Sequence, residues 1–186
     1  MDYAIEGLDS GYYDIVVSFL PSTESLKKNF ALSDPVYLDR EVLVQLNDSL
    51  RFISSPDQLG NDTVWIADGS PFRQRIENLS SEIGEHIEVA TLAGHTAEHL
   101  IMLVATGKIP RAVVNEGIAT RMKEEHYPNL NISTPVSFTQ LQCWIVSQND
   151  SGTGDFVNYW LDSLKRTDIY PSILAKYGLS KNKVIK

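Results

Sequence analysis

The stretch from Ala93 to Gly117, AGHTAEHLIMLVATGKIPRAVVNEG, sets His95, Glu98 and His99 at H-x-x-E-H spacing. On a helix, residues at i, i+3 and i+4 share a face. Two imidazoles and a carboxylate on one face are the parts of a zinc site with a built-in base. Such a hydrolase needs a third protein ligand, and Glu116, Glu124 and Glu125 are the candidates. Thr96 argues against this chemistry. As a helix cap it would leave His95 outside the helix and off the required face. A zinc-dependent hydrolase using His95, Glu98 and His99 is therefore the weaker alternative, and no metal or cofactor is expected.

Other reactive side chains point to no catalysis. Carboxylates are plentiful, but no motif pairs them across a cleft as glycoside hydrolysis requires. Cys143 is the single cysteine, so the chain has no internal disulfide. It lies in the apolar run LQCWIV and reads as a buried, inert thiol. His86 and His126 fall in polar stretches and read as surface residues. Five Asn-x-Ser/Thr sequons, at Asn47, Asn61, Asn78, Asn131 and Asn149, are all readable as turn or cap chemistry.

The bulk composition narrows the class of partner. The chain has 186 residues, enough for one ordinary domain or two small lobes. Its 42% hydrophobic and 22% charged content fits a globular protein with a real core. A net charge of −8 argues against nucleic acid and against an anionic membrane surface, since both need basic patches. No stretch approaches a membrane span, so no direct membrane insertion is expected. The opening MDYAIEGLDSG is neither basic nor followed by an apolar core, so it does not read as a signal peptide.

The elements that would position these residues alternate. AIEGLDSG is a short helix ending at a glycine, and Tyr12–Leu20 a buried parallel strand. STESLKKNFAL is a helix, and Arg40–Leu46 a second strand. Asp62–Ser70 is a strand running into a glycine turn, followed by the helix PFRQRIENLSSEIG. HIEVATLA is a strand and TAEHLIMLVATGKI a helix. Arg111–Gly117 is a strand and IATRMKEEHYP a helix. Val136–Ser147 reads as one long strand, and two closing helices end near Tyr177. This alternation predicts an α/β architecture with largely parallel sheets. The tail, residues 181–186, reads as frayed.

Open parallel sheets bind ligands at the carboxyl ends of their strands. Those ends are marked here by Gly69-Ser70, His95-Thr96 and Asn115-Glu116. Helix N-termini that follow them favour anions, and Ser70 and Thr96 would add hydroxyl donors. The plainer alternative is that Ser70 and Thr96 cap helices and Glu116 is solvated. Trp65 and Phe72 would either flank a cleft or belong to the core.

Four ordered segments resemble a known family. GYYDIVVSFLPSTESLKKNFALSDPVYLDREVLVQ is similar to a stretch of the type 2 periplasmic solute-binding fold, the bacterial extracellular solute-binding family 3. LGNDTVWIADGSPFRQRI, ATGKIPRAVVNEGIATRM and DSLKRTDIYPSILAKYG resemble further pieces of the same fold, in the same order. VVNEGIA, HYPNLNIS and VSFTQLQCWIV point, within the family, to the solute-binding-like domain of membrane-bound lytic murein transglycosylases of the F type.

The resemblance implies a two-lobed fold. Residues 1–45 and 137–180 would form lobe 1, and 46–136 lobe 2, with crossings near Asp39–Leu46 and Thr134–Leu141. Lobe 1 would lack the family's opening strand-helix-strand unit of roughly 30 residues. The implied ligand residues are Thr23, Gly69, Ser70, His95, Thr96, Asn115 and Glu116, facing an inter-lobe cleft. Glu116, or its neighbour Asn115, matches the acidic position that meets a ligand ammonium. The family's carboxylate-clamping arginine has no counterpart in Thr23-Glu24-Ser25-Leu26. Lys27 and Lys28 are point charges rather than forks.

These points imply a non-catalytic sensor or regulatory domain of a cell-envelope lytic transglycosylase-like protein. It would bind a muropeptide, peptide or amino-acid-like small molecule in the periplasm or cell envelope, beside a catalytic domain of the same parent chain. The alternative is a transport-type extracellular solute-binding protein for a small polar solute.

Overall fold

The computed structural model of the chain describes residues 2–22, 24–147, 151–177 and 179. Its elements run α1 (Asp2–Asp9), β1 (Ile15–Pro21), α2 (Glu24–Asn29), β2 (Ala31–Leu32), β3 (Tyr37–Asp39), β4 (Glu41–Leu46), β5 (Thr63–Ala67), α3 (Phe72–Ile83) and β6 (Glu88–Leu92). They continue with α4 (Ala97–Ala105), β7 (Arg111–Asn115), α5 (Glu116–Glu125), β8 (Leu130–Pro135), β9 (Gln140–Val146), α6 (Ser151–Lys165) and α7 (Ile169–Lys176). The chain forms two compact units, Met1–Asp39 with Thr139–Lys186 and Arg40–Phe138. It is a mixed α/β protein with two sheets.

In the first unit β9 is the central strand. β1 lies along one side of it, β2 and β3 along the other, and all three pair with it antiparallel. Leu8, Val16, Leu20 and Ile145 bury one cluster, with Ile5, Leu26, Phe30 and Leu32 packed around it. Tyr37, Tyr170, Leu174 and Leu179 bury another, and the Tyr170 hydroxyl donates to the Val36 carbonyl. At roughly 1.5–3 kcal/mol per buried large apolar side chain, these small clusters hold α1, α2 and α7 to the sheet.

The second unit carries a five-stranded sheet in the order β6-β5-β7-β4-β8. β5 pairs parallel with β6 and β7, and β4 pairs antiparallel with β7 and β8. β5, β6, β7 and β8 therefore run one way, and β4 alone opposes them. Side chains alternate across the central strands, as a period of two requires. Leu43 and Val113 face a core with Ile76 and Leu79 of α3. Val42, Val44, Ala112 and Val114 face the opposite core, with Leu100, Ile101 and Val104 of α4 and Ala119 of α5. Both faces are covered, so β4 and β7 are buried at nearly every position.

Buried polar groups fix the long connection after β4. Fully buried Gln45 donates Nε2–H to the Ile53 carbonyl at 2.6 Å and accepts the Ile53 N–H at 3.0 Å. Thr134 adds its hydroxyl to the same carbonyl at 2.8 Å. Arg111 is buried too. It pairs with Asp62 at 2.5 Å and donates to the Arg51 carbonyl at 3.0 Å, tying the starts of β5 and β7 together.

Three expectations need correction. The sheets are not largely parallel: the first unit is wholly antiparallel, and β4 opposes its neighbours in the second. The apolar run at Tyr12–Leu20 is not a buried parallel strand, because β1 begins at Ile15, pairs antiparallel and leaves Val17 64% exposed. An apolar run reveals neither the direction of its partner nor the cover on its second face. The long strand expected over Val136–Ser147 is shorter. Val136 and Ser137 instead bond back to the Glu41 carbonyl as the chain leaves β8, a strand absent from the expected elements.

Candidate ligand-binding edge

The topology of the second unit collects the candidate residues. Because β5, β6 and β7 are parallel, their carboxyl ends share one edge of the second unit's sheet. Gly69 and Ser70 follow β5, His95 and Thr96 follow β6, and Asn115 and Glu116 straddle the end of β7. Six of the seven expected ligand residues thus lie on that edge. The seventh, Thr23, falls outside the described residues. The antiparallel direction of β4 brings its first residues to the same edge, with Glu41 opposite Asn115.

The β5 turn is built from its own polar atoms. Gly69 takes a φ of +65°, a left-handed conformation that suits glycine, and its N–H donates to Asp68 Oδ1 at 3.1 Å. Ser70 Oγ accepts the Phe72 N–H at 3.2 Å, satisfying one of the unpaired donors at the start of α3. Ser70 thus acts as a capping side chain. Phe72 and Trp65 both point to the cores rather than to the edge: Phe72 is buried with α3, and Trp65 packs beside α4.

The β6 turn disposes of all three members of the H-x-x-E-H string. Gly94 takes a φ of +71° with open space where a Cβ would lie. His95 Nδ1 bonds the Ala93 carbonyl at 3.0 Å. Thr96 is the N-cap of α4, with extended backbone, and its N–H donates to His99 Nδ1 at 3.3 Å. Glu98 pairs with Arg121 of α5 at 3.3 Å. The two imidazoles meet edge to face, 5.6 Å apart between centroids. Among the described residues no three His, Cys, Asp or Glu side chains gather in a group that could hold a metal ion.

The β7 end is the most enclosed part of the edge. The strand stops at Asn115, two residues before the expected Gly117, and α5 starts at once with Glu116. Asn115 is 5% exposed, and its Nδ2 meets no acceptor among the described residues. Glu116 binds the residue before β4 twice. Its N–H donates to the Arg40 carbonyl at 2.9 Å, and its Oε1 accepts from Arg40 Nη2 at 2.6 Å. Ser137 Oγ accepts the Glu41 N–H at 2.9 Å and completes the margin.

Arg40 and Ser137 were not among the expected site residues. The acid–base–acid triplet Asp39-Arg40-Glu41, set directly before an apolar strand, is the signal that would have marked Arg40. Three helix starts, a partly exposed guanidinium and a buried amide give this edge the means to bind a polar solute. Cys143 belongs to the first unit and is buried, with burial raising its thiol pKa and a Ser22 side-chain hydrogen bond opposing that rise.

Comparison with known proteins agrees with this architecture. The profile of the bacterial extracellular solute-binding proteins, family 3, matches residues 1–180. A membrane-bound lytic murein transglycosylase F of Desulfosudis oleivorans is 25% identical over 176 residues. That match takes in 95% of this chain but only 38% of the transglycosylase, so the chain spans well under half of that relative.

Solved structures share the fold. One comes from work on glutathione import through GshT and the cystine importer TcyBC of Streptococcus mutans. It has a TM-score of 0.85 at 21% identity, covering 100% of this chain and 77% of that one. An arginine-binding protein from T. maritima has a TM-score of 0.81 at 22% identity, covering 95% and 74%. An ancestral arginine-binding protein bound to arginine has a TM-score of 0.77 at 23% identity, covering 95% and 77%. With a family match over nearly its whole length and this two-unit α/β fold, the chain belongs to the family 3 bacterial extracellular solute-binding proteins.

Proposed function

We propose that this chain is a non-catalytic sensor or regulatory domain of a cell-envelope lytic transglycosylase-like protein. It takes a small peptidoglycan-derived or peptide-like solute at the carboxyl edge of the second unit. The observation that carries this reading is the partial match to the transglycosylase, which involves nearly all of this chain and a minor part of that protein. A family-3 binding unit embedded in a longer lytic enzyme is the arrangement such coverage suggests. Gly69, Ser70, His95, Thr96, Asn115 and Glu116 form the ligand-facing margin in this proposal. The periplasm or cell envelope is the matching compartment.

A transport-type binding protein is the second reading. The substrate-binding protein of an amino acid ABC transporter shares the fold, with a TM-score of 0.78 over 93% of this chain. At 22% identity that likeness speaks for the fold alone.

A thermal-shift panel separates the two. A ligand that binds only the native state raises the melting temperature by mass action, by RT ln(1 + [L]/Kd) in free energy. Muropeptides and short peptides are expected to raise it more than free amino acids. A panel in which a simple amino acid shifts the transition and no cell-wall fragment does would favour the transport reading.

A further inference from the structure

Two acidic residues stand in the first turns of the helices that leave the edge, Glu98 in α4 and Glu116 in α5. Each is held by an arginine of the same unit, Glu98 by Arg121 at 3.3 Å and Glu116 by Arg40 at 2.6 Å. The other carboxylate of these turns, Asp68, is exposed and accepts the Gly69 N–H. The Arg40–Glu116 pair differs from an ordinary surface pair in how it is fixed. The pairing of Glu41 with Asn115 sets the two residues side by side at the ends of adjacent strands. Their main chains are bonded at 2.9 Å, so the side chains meet without a long search through rotamers. The Glu116 side chain is only 19% exposed and that of Arg40 35%, so solvent screens the contact less than at an open surface.

We infer that Arg40 is a specificity-determining residue: by occupying the Glu116 carboxylate it sets this edge against solutes bearing a free ammonium group and toward solutes whose amino group is acylated. The inference rests on the proposal that this edge is the ligand-binding one. An incoming ammonium meets a carboxylate whose Oε1 already accepts from a guanidinium at 2.6 Å, and it must sit beside that guanidinium as a like charge. An acylated nitrogen carries no charge and meets neither obstacle.

The test measures a binding ratio. Calorimetric titration at low salt uses L-alanine and N-acetyl-L-alanine as probes against the full chain. The variants are Arg40→Ala, Arg40→Gln and the double variant Arg40→Gln with Glu116→Gln, each checked for native circular dichroism. The wild type is expected to prefer the acetylated probe. Either single substitution should move the ratio toward the free amino acid by about tenfold, the scale of one hydrogen bond to a charged group. The double variant should lose that shift. An unchanged ratio in both single variants, a shift that survives the loss of Glu116, or no binding of either probe to any variant would overturn the inference. The outcomes separate it from the proposed function. A muropeptide response without a ratio change sinks the role of Arg40 alone, and a ratio change without any response to cell-wall fragments sinks the ligand assignment alone.

Discussion

The backbone N–H of Thr96 donates to Nδ1 of His99 at 3.3 Å, across the first turn of α4. That relationship gives the H-x-x-E-H string a capping role at the start of α4. His99 Nδ1 accepts one of the unpaired N–H groups at the helix start, so that nitrogen serves the cap. His95 is turned to its own loop and Glu98 to Arg121. Two consequences can be measured. Zinc titration should give no tight, saturable binding, and His99→Ala should leave whatever weak response there is unchanged. The same substitution should lower stability by about 1 kcal/mol, the usual cost of a lost cap. Tight zinc binding abolished by His99→Ala would restore the hydrolase reading.

The Arg111–Asp62 pair should matter far more to stability. The Arg111 side chain is 4% exposed and that of Asp62 14%, with 2.5 Å between them. Removing one partner leaves a buried charge without its counter-ion, which costs roughly 3–5 kcal/mol. Asp62→Ala should therefore lower the denaturant midpoint strongly, whereas Asp162→Ala, which breaks an exposed pair between α6 and Arg166 just beyond it, should leave it almost unmoved. Equal effects of the two substitutions would refute this ranking.

Much of the candidate edge was legible from the chain itself. The three turn signatures, Gly69-Ser70, His95-Thr96 and Asn115-Glu116, each follow an apolar strand and precede a helical pattern. Helical crossovers make such strands parallel, so their ends gather without further information. Strand direction elsewhere was not legible. VLV in β4 reads the same whether its neighbours run with it or against it, and only the pairing with β7 and β8 reveals the opposition. The role of Arg40 depends on that direction: a parallel β4 would carry it to the far edge of the sheet. β8 was missed because LNIST is short and polar at alternate positions, and its burial comes from its place beside β4.

Gln45 offers a test of how firmly the connection after β4 is held. Its amide makes two bonds to the Ile53 backbone, and one substitution removes both. Gln45→Leu keeps the volume but leaves a buried N–H without its acceptor, while the Ile53 carbonyl retains Thr134. The expected loss is about 1–3 kcal/mol, with amide exchange at Ile53 accelerated and the α4 core unaffected. Unaltered exchange at Ile53 would show that the loop is held by its apolar contacts alone.

Alkaline stability should follow from two buried groups in the first unit. Burial raises the Cys143 thiol above its ordinary 9.0, and burial together with the Asp39 charge raises the Tyr37 phenol above its ordinary 10.0. Both are neutral acids that lose a proton more readily in the unfolded chain than in the folded one. Below pH 9 neither state ionises them, and their contribution to stability is intact. Above it the unfolded chain releases protons that the native chain keeps, so unfolding becomes progressively easier through the Cys143 range and then the Tyr37 range. Denaturant midpoints measured from pH 8 to pH 11 should fall in that order. Cys143→Ser and Tyr37→Phe should each remove their own part of the slope. In the same native protein Cys143 should resist alkylation at pH 8 and react promptly once denaturant is added, since the thiolate is the nucleophile and the folded chain withholds it. A native Cys143 that alkylates as fast as the denatured one would overturn the assignment of a protected thiol.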